Sequence, residues 1–291
     1  MHLVSTVSDL RIATRGSRLA LAQARAVAAS LCAAHTGLDV SLVEITSTGD
    51  VDKTTPVSTL TEVGAFVRSI QLAVLDGAAD IAVHSCKDLP VSGPPGLVAF
   101  YPEREEPWDV LCGHDLESLP DRAKVGTGSP RRAAQLRILR PDVDVVEIRG
   151  NVDTRLEKMR SGEYDAIVLA ESGLLRLGIQ DEVGHRFSVT EMVPAPGQAA
   201  IAVEAPTGSR AAELAQAIDH RTTRLAVESE RALLENTASG CRSALGALAV
   251  VSDTGLHLTG FVADGNGPRF GVGEGPDVHS AANNLQSVLG L

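Results

Sequence analysis

Apolar positions along the first hundred residues fall into two alternating periods. Residues 10–14 and 39–45 alternate or run apolar as short strands do, and 80–84 is a compact apolar run. Between them lie stretches with helical spacing. Ser17 can cap an Ala-rich helix that continues to about His35, with Gly37 as its stop, and 65–75 is a second helix ending at Asp76-Gly77. Residues 49–56 are a polar loop, Lys87-Asp88-Leu89-Pro90 breaks the third strand, and 97–101 is a further strand. From 110 to 177 the alternation repeats. Strands are expected at 110–112, 124–126, 143–148 and 165–170, helices at 129–139 and 152–159, and a helical turn at 173–177. Pro130 stands at the first position of its helix, where a missing N–H costs nothing. Pro194-Ala195-Pro196-Gly197 reads as a hinge, and 201–204 returns to strand.

The pattern changes after that. Residues 219–236 form one amphipathic helix, 245–251 and 256–262 read as strands, and a Gly-rich stretch, 264–275, precedes a final helix near 279–289. The expected fold class is α/β in three domains. Domain 1 comprises 1–103 plus 195–218, domain 2 comprises 104–194, and domain 3 is a small α+β unit at 219–291.

Composition narrows the function. The 291 residues carry a net charge of −11, which argues against nonspecific binding to nucleic acid. Residues 122–176 nevertheless hold 11 Lys/Arg against 8 Asp/Glu. No run of about 18 apolar residues suggests a membrane span, and the first residues lack a secretory pattern. The four cysteines, 32, 86, 112 and 241, include no CxxC, so free thiols in a cytoplasmic protein are expected, with no metal site. Cys32 is placed on the apolar face of the first helix, Cys112 in a strand, and Cys86 is left open.

One arrangement recurs three times: a strand, a glycine or hydroxyl residue, then a helix with arginines close by. The segments are Thr14-Arg15-Gly16-Ser17-Arg18, Gly126-Thr127-Gly128-Ser129-Pro130-Arg131-Arg132 and Arg149-Gly150-Asn151-Val152-Asp153-Thr154-Arg155. Helix N-termini attract anions, and guanidinium grips a carboxylate in two-point fashion. Ordinary capped helices with solvated arginines would give each segment singly; three together suggest a ligand with several negative groups. His84-Ser85-Cys86-Lys87-Asp88 ends a buried strand and can place a carboxylate and an amine at the same edge. Asp88 there could favour a developing cation, and Lys87 could bind a carboxylate or form a Schiff base; a structural ion pair in a surface turn is the plain alternative. Cys241, between Gly240 and Arg242, is a candidate accessible thiol, with a packed structural thiol as the alternative.

These segments, together with Ala79–Pro90 and Ser239-Gly240-Cys241, resemble the hydroxymethylbilane synthase (porphobilinogen deaminase) family. The resemblance implies two domains like type II periplasmic binding proteins and a small third one. It implies a monomeric enzyme that joins four porphobilinogen molecules into hydroxymethylbilane on a dipyrromethane cofactor. By resemblance, Cys241 carries that cofactor and Asp88 is catalytic. Lys87, Asp88, Thr127, Ser129, Arg131, Arg132, Arg149 and Arg155 would bind the cofactor, and Arg15, Ser17, Gln23, Arg176 and Gln198 the substrate. The chain departs from the family pattern at Val63, Trp108, Ala199 and Ala244. A two-lobed anion-binding module without catalysis is the rival reading, and a lyase acting through Lys87 a weaker one.

Overall fold

The computed structural model describes residues 8–45, 65–237 and 244–291. The chain divides into two compact units, residues 1–104 with 200–224 and residues 105–199 with 225–291.

The first unit is built on a five-stranded sheet. Its strands are β1 (Ser8–Thr14), β2 (Leu38–Glu44), β3 (Ile81–Ser85), β4 (Leu97–Phe100) and β10 (Ile201–Pro206), in the order β2-β1-β3-β10-β4. β1 runs parallel to β2 and β3, and β10 antiparallel to β3 and β4. Helix α1 (Arg18–Ala34) starts where expected, with the Ser17 hydroxyl accepting from Ala20 N. Ala24, Val27 and Leu31 share one face of it and pack on Leu10, Ile12 and Val203. Alternate strand residues Ala13 and Ala82 face the other way, onto Ile70 and Val74 of α2 (Ala65–Leu75). Cys32 is exposed, not packed. It lies one residue, about 100° of helix, beyond the buried Leu31.

The second unit holds two sheets. β5 (Asp109–Cys112), β6 (Lys124–Gly126), β7 (Asp144–Val146), β8 (Ala166–Ala170) and β9 (Val183–Arg186) are ordered β7-β6-β8-β5-β9. β6 is parallel to β7 and β8, and β5 antiparallel to β8. Helices α3 (Pro130–Leu139), α4 (Val152–Arg160) and α5 (Glu171–Leu177) follow β6, β7 and β8 in turn. Both faces of this sheet are buried, one on Leu136, Phe187 and Met192, the other on Ile148, Leu156 and Leu174.

The remaining strands are β11 (Ala244–Ser252), β12 (Gly255–Asp264) and β13 (Gly267–Gly275), a meander covered by α8 (Val278–Leu289). Helix α7 (Arg221–Asn236) precedes it, beginning two residues later than expected, and a short helix α6 (Arg210–Gln216) and β9 add elements that the sequence pattern does not show. β13 occupies most of the expected Gly-rich connection. A Cβ on Gly273 would lie 2.4 Å from Leu285 N, and one on Gly275 2.5 Å from Ala281 N. The glycines therefore let α8 lie directly on the strand, and they hide the strand from any reading based on β propensity. Glu230 of α7 is fully buried; its carboxylate accepts from Gly197 N and Ala249 N. No helix among the described residues is long and apolar enough to cross a membrane.

Candidate active site

In the first unit, β1 and β3 are parallel neighbours, so their carboxyl ends share one edge of the sheet. Ligands of open α/β sheets gather at such edges. Arg15 and Ser17 follow β1, and a single 3-10 turn, Cys86–Asp88, follows β3. The turn fixes the chemistry by orientation. Cys86 is fully buried, with its backbone N–H bonded to Ala200 O, while Lys87 is half-buried and Asp88 exposed. Gln23 is buried, its amide 2.8 Å from Ser85 Oγ. It thus ties α1 to the end of β3 just before the Lys87-Asp88 pair. Beneath the same strand, His84 Nε2 lies 3.2 Å from Glu204 Oε2, and Gln71 Nε2 donates to both carboxylate oxygens of Glu204.

In the second unit, the parallel strands β6, β7 and β8 bring another set of residues to one edge. Thr127 and Ser129 follow β6; the Ser129 hydroxyl caps α3 by accepting from Arg132 N, and Thr127 Oγ1 accepts from Ser129 N at 3.2 Å. Arg149 follows β7 and pairs with Glu147 at 2.9 Å, an exposed contact worth little. Arg155, on α4, donates Nε to Gly150 O. Gly150 has a φ of 110° and holds the turn that aims this segment.

Arg131 and Arg132 differ from Arg149 and Arg155 at the same edge. Both are buried, and both close on Asp109, a residue that the sequence reading did not select. Arg131 Nη1 donates to Asp109 Oδ2 and to Val193 O, each at 2.7 Å. Arg132 donates Nε to Asp109 Oδ1 at 2.8 Å and Nη1 to Val168 O at 2.9 Å. Gln198 Nε2 joins the same carboxylate oxygen at 3.0 Å and bonds Pro107 O at 2.8 Å. Burial pushes the Asp109 carboxyl upward, but the charges of Arg131 and Arg132 outweigh it and hold the group far below the usual carboxylate range. Burial likewise lowers Arg131, against the opposing pull of Asp109. In the sequence Asp109 stands only as an acidic residue just before the strand expected at 110–112. Its partners lie more than twenty residues away.

Arg176 Nε pairs with Glu105 Oε2 at 3.0 Å, and its Nη2 donates to Ala199 O. Burial lowers this guanidinium, with Glu105 acting against it. Cys112 is buried in β5, which pushes its thiol up to about 12. Cys241 and the segment around Val63 lie outside the described residues.

Residues 10–214 match the family model described as "Porphobilinogen deaminase, dipyromethane cofactor binding domain". The chain belongs to the porphobilinogen deaminase family. Relatives named porphobilinogen deaminase include that of Leifsonia xyli subsp. xyli, 45% identical over 87% of this chain and 79% of the relative. That of Acidothermus cellulolyticus is 45% identical over 92% and 83%, and that of Thermobifida fusca 44% identical over 98% and 92%. Among solved structures, the second substrate-binding domain of Lactococcus lactis GlnP is similar at 13% identity with a TM-score of 0.43, covering 74% of this chain and 88% of that one.

The donors present suit the porphobilinogen deaminase cofactor. A dipyrromethane carries carboxylate side chains, and the second unit offers hydroxyls, a capped helix start and guanidiniums along one edge.

Proposed function

We infer that this chain is a hydroxymethylbilane synthase. It is a transferase that joins four porphobilinogen molecules head to tail, loses ammonia at each join and adds water when the linear product leaves. The observation that carries this reading is identity of about 45% to named porphobilinogen deaminases across most of both chains. The sheet-edge arginines and hydroxyls support it, because every pyrrole of the substrate and product bears two carboxylates.

When bound, the dipyrromethane supplies the free pyrrole end on which the chain grows. Cys241 anchors it through a thioether. Thr127, Ser129, Arg149 and Arg155 hold its acetate and propionate groups together with Arg131, Arg132 and Lys87. Arg15, Ser17 and Arg176 take the carboxylates of arriving substrate, and Gln198 assists. Gln23 serves this binding through Ser85, by fixing the end of β3. Asp88 is the catalytic carboxylate. Its exposed position lets its charge face the methylene that becomes electron-poor as ammonia departs. Lys87 beside it keeps the local charge balanced as carboxylates arrive.

The reading includes three working domains, 1–103 plus 195–218, 104–194 and 219–291, supported by three separate sheets. It also has the enzyme act as a cytoplasmic monomer without nucleic acid. The test is intact mass together with porphobilinogen consumption. The purified chain should carry the mass of two porphobilinogen-derived rings and consume porphobilinogen. Cys241→Ser should lose both, and Cys86→Ser, altering a buried thiol, should keep both. An unmodified, inactive wild-type chain would favour a binding module, and an adduct that follows Cys86 would overturn the attachment.

A further inference from the structure

Asp109 carries the inference that the site residues alone do not. It opens β5 opposite Ala170, the last residue of β8, so antiparallel pairing sets it at the carboxyl edge where Thr127 and Ser129 also stand. It is 0% exposed, and Arg131 and Arg132 are 4% and 6% exposed. Its Oδ2 receives Arg131, and its Oδ1 receives Arg132 and Gln198. The two guanidiniums also reach backbone carbonyls of different segments, Val193 and Val168. Each arginine is therefore held at two points, and Asp109 is the point they share.

We propose that Asp109 is a positioning residue, which fixes Arg131 and Arg132 in one geometry and leaves the buried cluster with a single excess positive charge, suited to one carboxylate of the bound dipyrrole. This rests on the functional reading above. Two guanidiniums against one carboxylate leave one positive charge in surroundings that penalise unbalanced ions. With Asp109 neutral, the pair would hold two positive charges and would suit a more highly charged anion such as phosphate. Its orientation would also loosen, because an amide cannot accept on both sides of the cluster. Arg132 shows how far orientation matters. Its Nε, Nη1 and Nη2 all face protein groups, with Nη2 2.7 Å from Asp109 Oδ1, so any bond to a ligand depends on donors whose direction Asp109 sets.

The experiment is Asp109→Asn with three readouts: adduct fraction by intact mass, KM and kcat for porphobilinogen, and melting temperature with and without inorganic phosphate. The folded variant should carry an adduct in less than about a tenth of molecules, or show KM raised about tenfold or more with kcat less affected. Phosphate should raise its melting temperature more than that of wild type. Normal loading and KM in the folded variant would overturn the proposal, even with a lowered melting temperature, because that pattern is structural only. An equal phosphate effect on both proteins would overturn the charge argument. If Asp109→Asn does not fold, Asp109→Glu keeps the charge and displaces the carboxylate by one methylene. Impaired loading or raised KM is then expected, and wild-type values would overturn the positioning role. Wild-type protein without adduct or turnover would sink the functional reading instead, while the phosphate comparison would still test the charge argument.

Discussion

Arg176 holds the carbonyl of Ala199, and Ala199 has a φ of 67°. The left-handed region costs a residue with a Cβ about 1–2 kcal/mol, and glycine avoids that cost while giving back part of it in the unfolded chain. Ala199 is buried, so glycine also forgoes the burial of one methyl group, and Ala199→Gly should stabilise the protein by at most about 0.5 kcal/mol. Melting in matched buffer checks this, with a rise of about 1 °C expected and a clear fall counting against backbone strain at this turn.

Asp88 is exposed at the end of β3, so replacing it should leave the fold intact. Asp88→Asn should slow turnover by about 10²–10³ while far-UV circular dichroism stays unchanged, since only the charge facing a developing cation is lost. Near-normal porphobilinogen consumption by the folded variant would remove Asp88 from the chemistry.

Acid should find the arginine cluster. Asp109 has a folded-state value far below its unfolded value of 3.8. A depressed carboxyl contributes stability that is complete above the unfolded value and is lost as pH falls below it, toward the folded one. Asp264 is shifted the same way, to about 2, chiefly by its hydrogen bond from Arg269; being exposed, it matters less. Urea midpoints should change little from these two groups between about pH 6 and 5 and fall steeply below about pH 4. In Asp109→Asn the acid limb should be shallower. A limb of wild-type steepness would mean that other carboxyls govern it.

Much of this architecture is legible along the chain because local signals agree with it. Ser17 caps the helix it was read to cap, and Pro130 stands at the first turn of α3, with Ser129 as the cap just before it. β13 is illegible for a physical reason. Its glycines at 271, 273 and 275 make room for α8, so the residues that face the helix have no side chains to betray a strand. The exposed Phe270 and Val272, on either side of Gly271, are the large apolar side chains left to signal a strand. At the site, the residue types with exposed or edge roles could be named from their segments. The burial of Arg131 and Arg132 could not, because it depends on Asp109 across the sheet and on carbonyls at 168 and 193. Gln23 shows the same limit: its partner Ser85 is sixty-two positions away.

The strand orders β2-β1-β3-β10-β4 and β7-β6-β8-β5-β9 set a schedule for synthesis at the ribosome. The second sheet draws all its strands from residues 109–186, an unbroken stretch. The first sheet has its opening strands early but needs β10, residues 201–206, to join β3 to β4. Until those residues emerge, β4 has no neighbour in its sheet and one side of β3 is an open edge, the kind of surface that pairs with the wrong chain. The first part of the protein to be made is thus the later of the two sheets to close, and a nascent chain halted before residue 201 would be the form most in need of a chaperone.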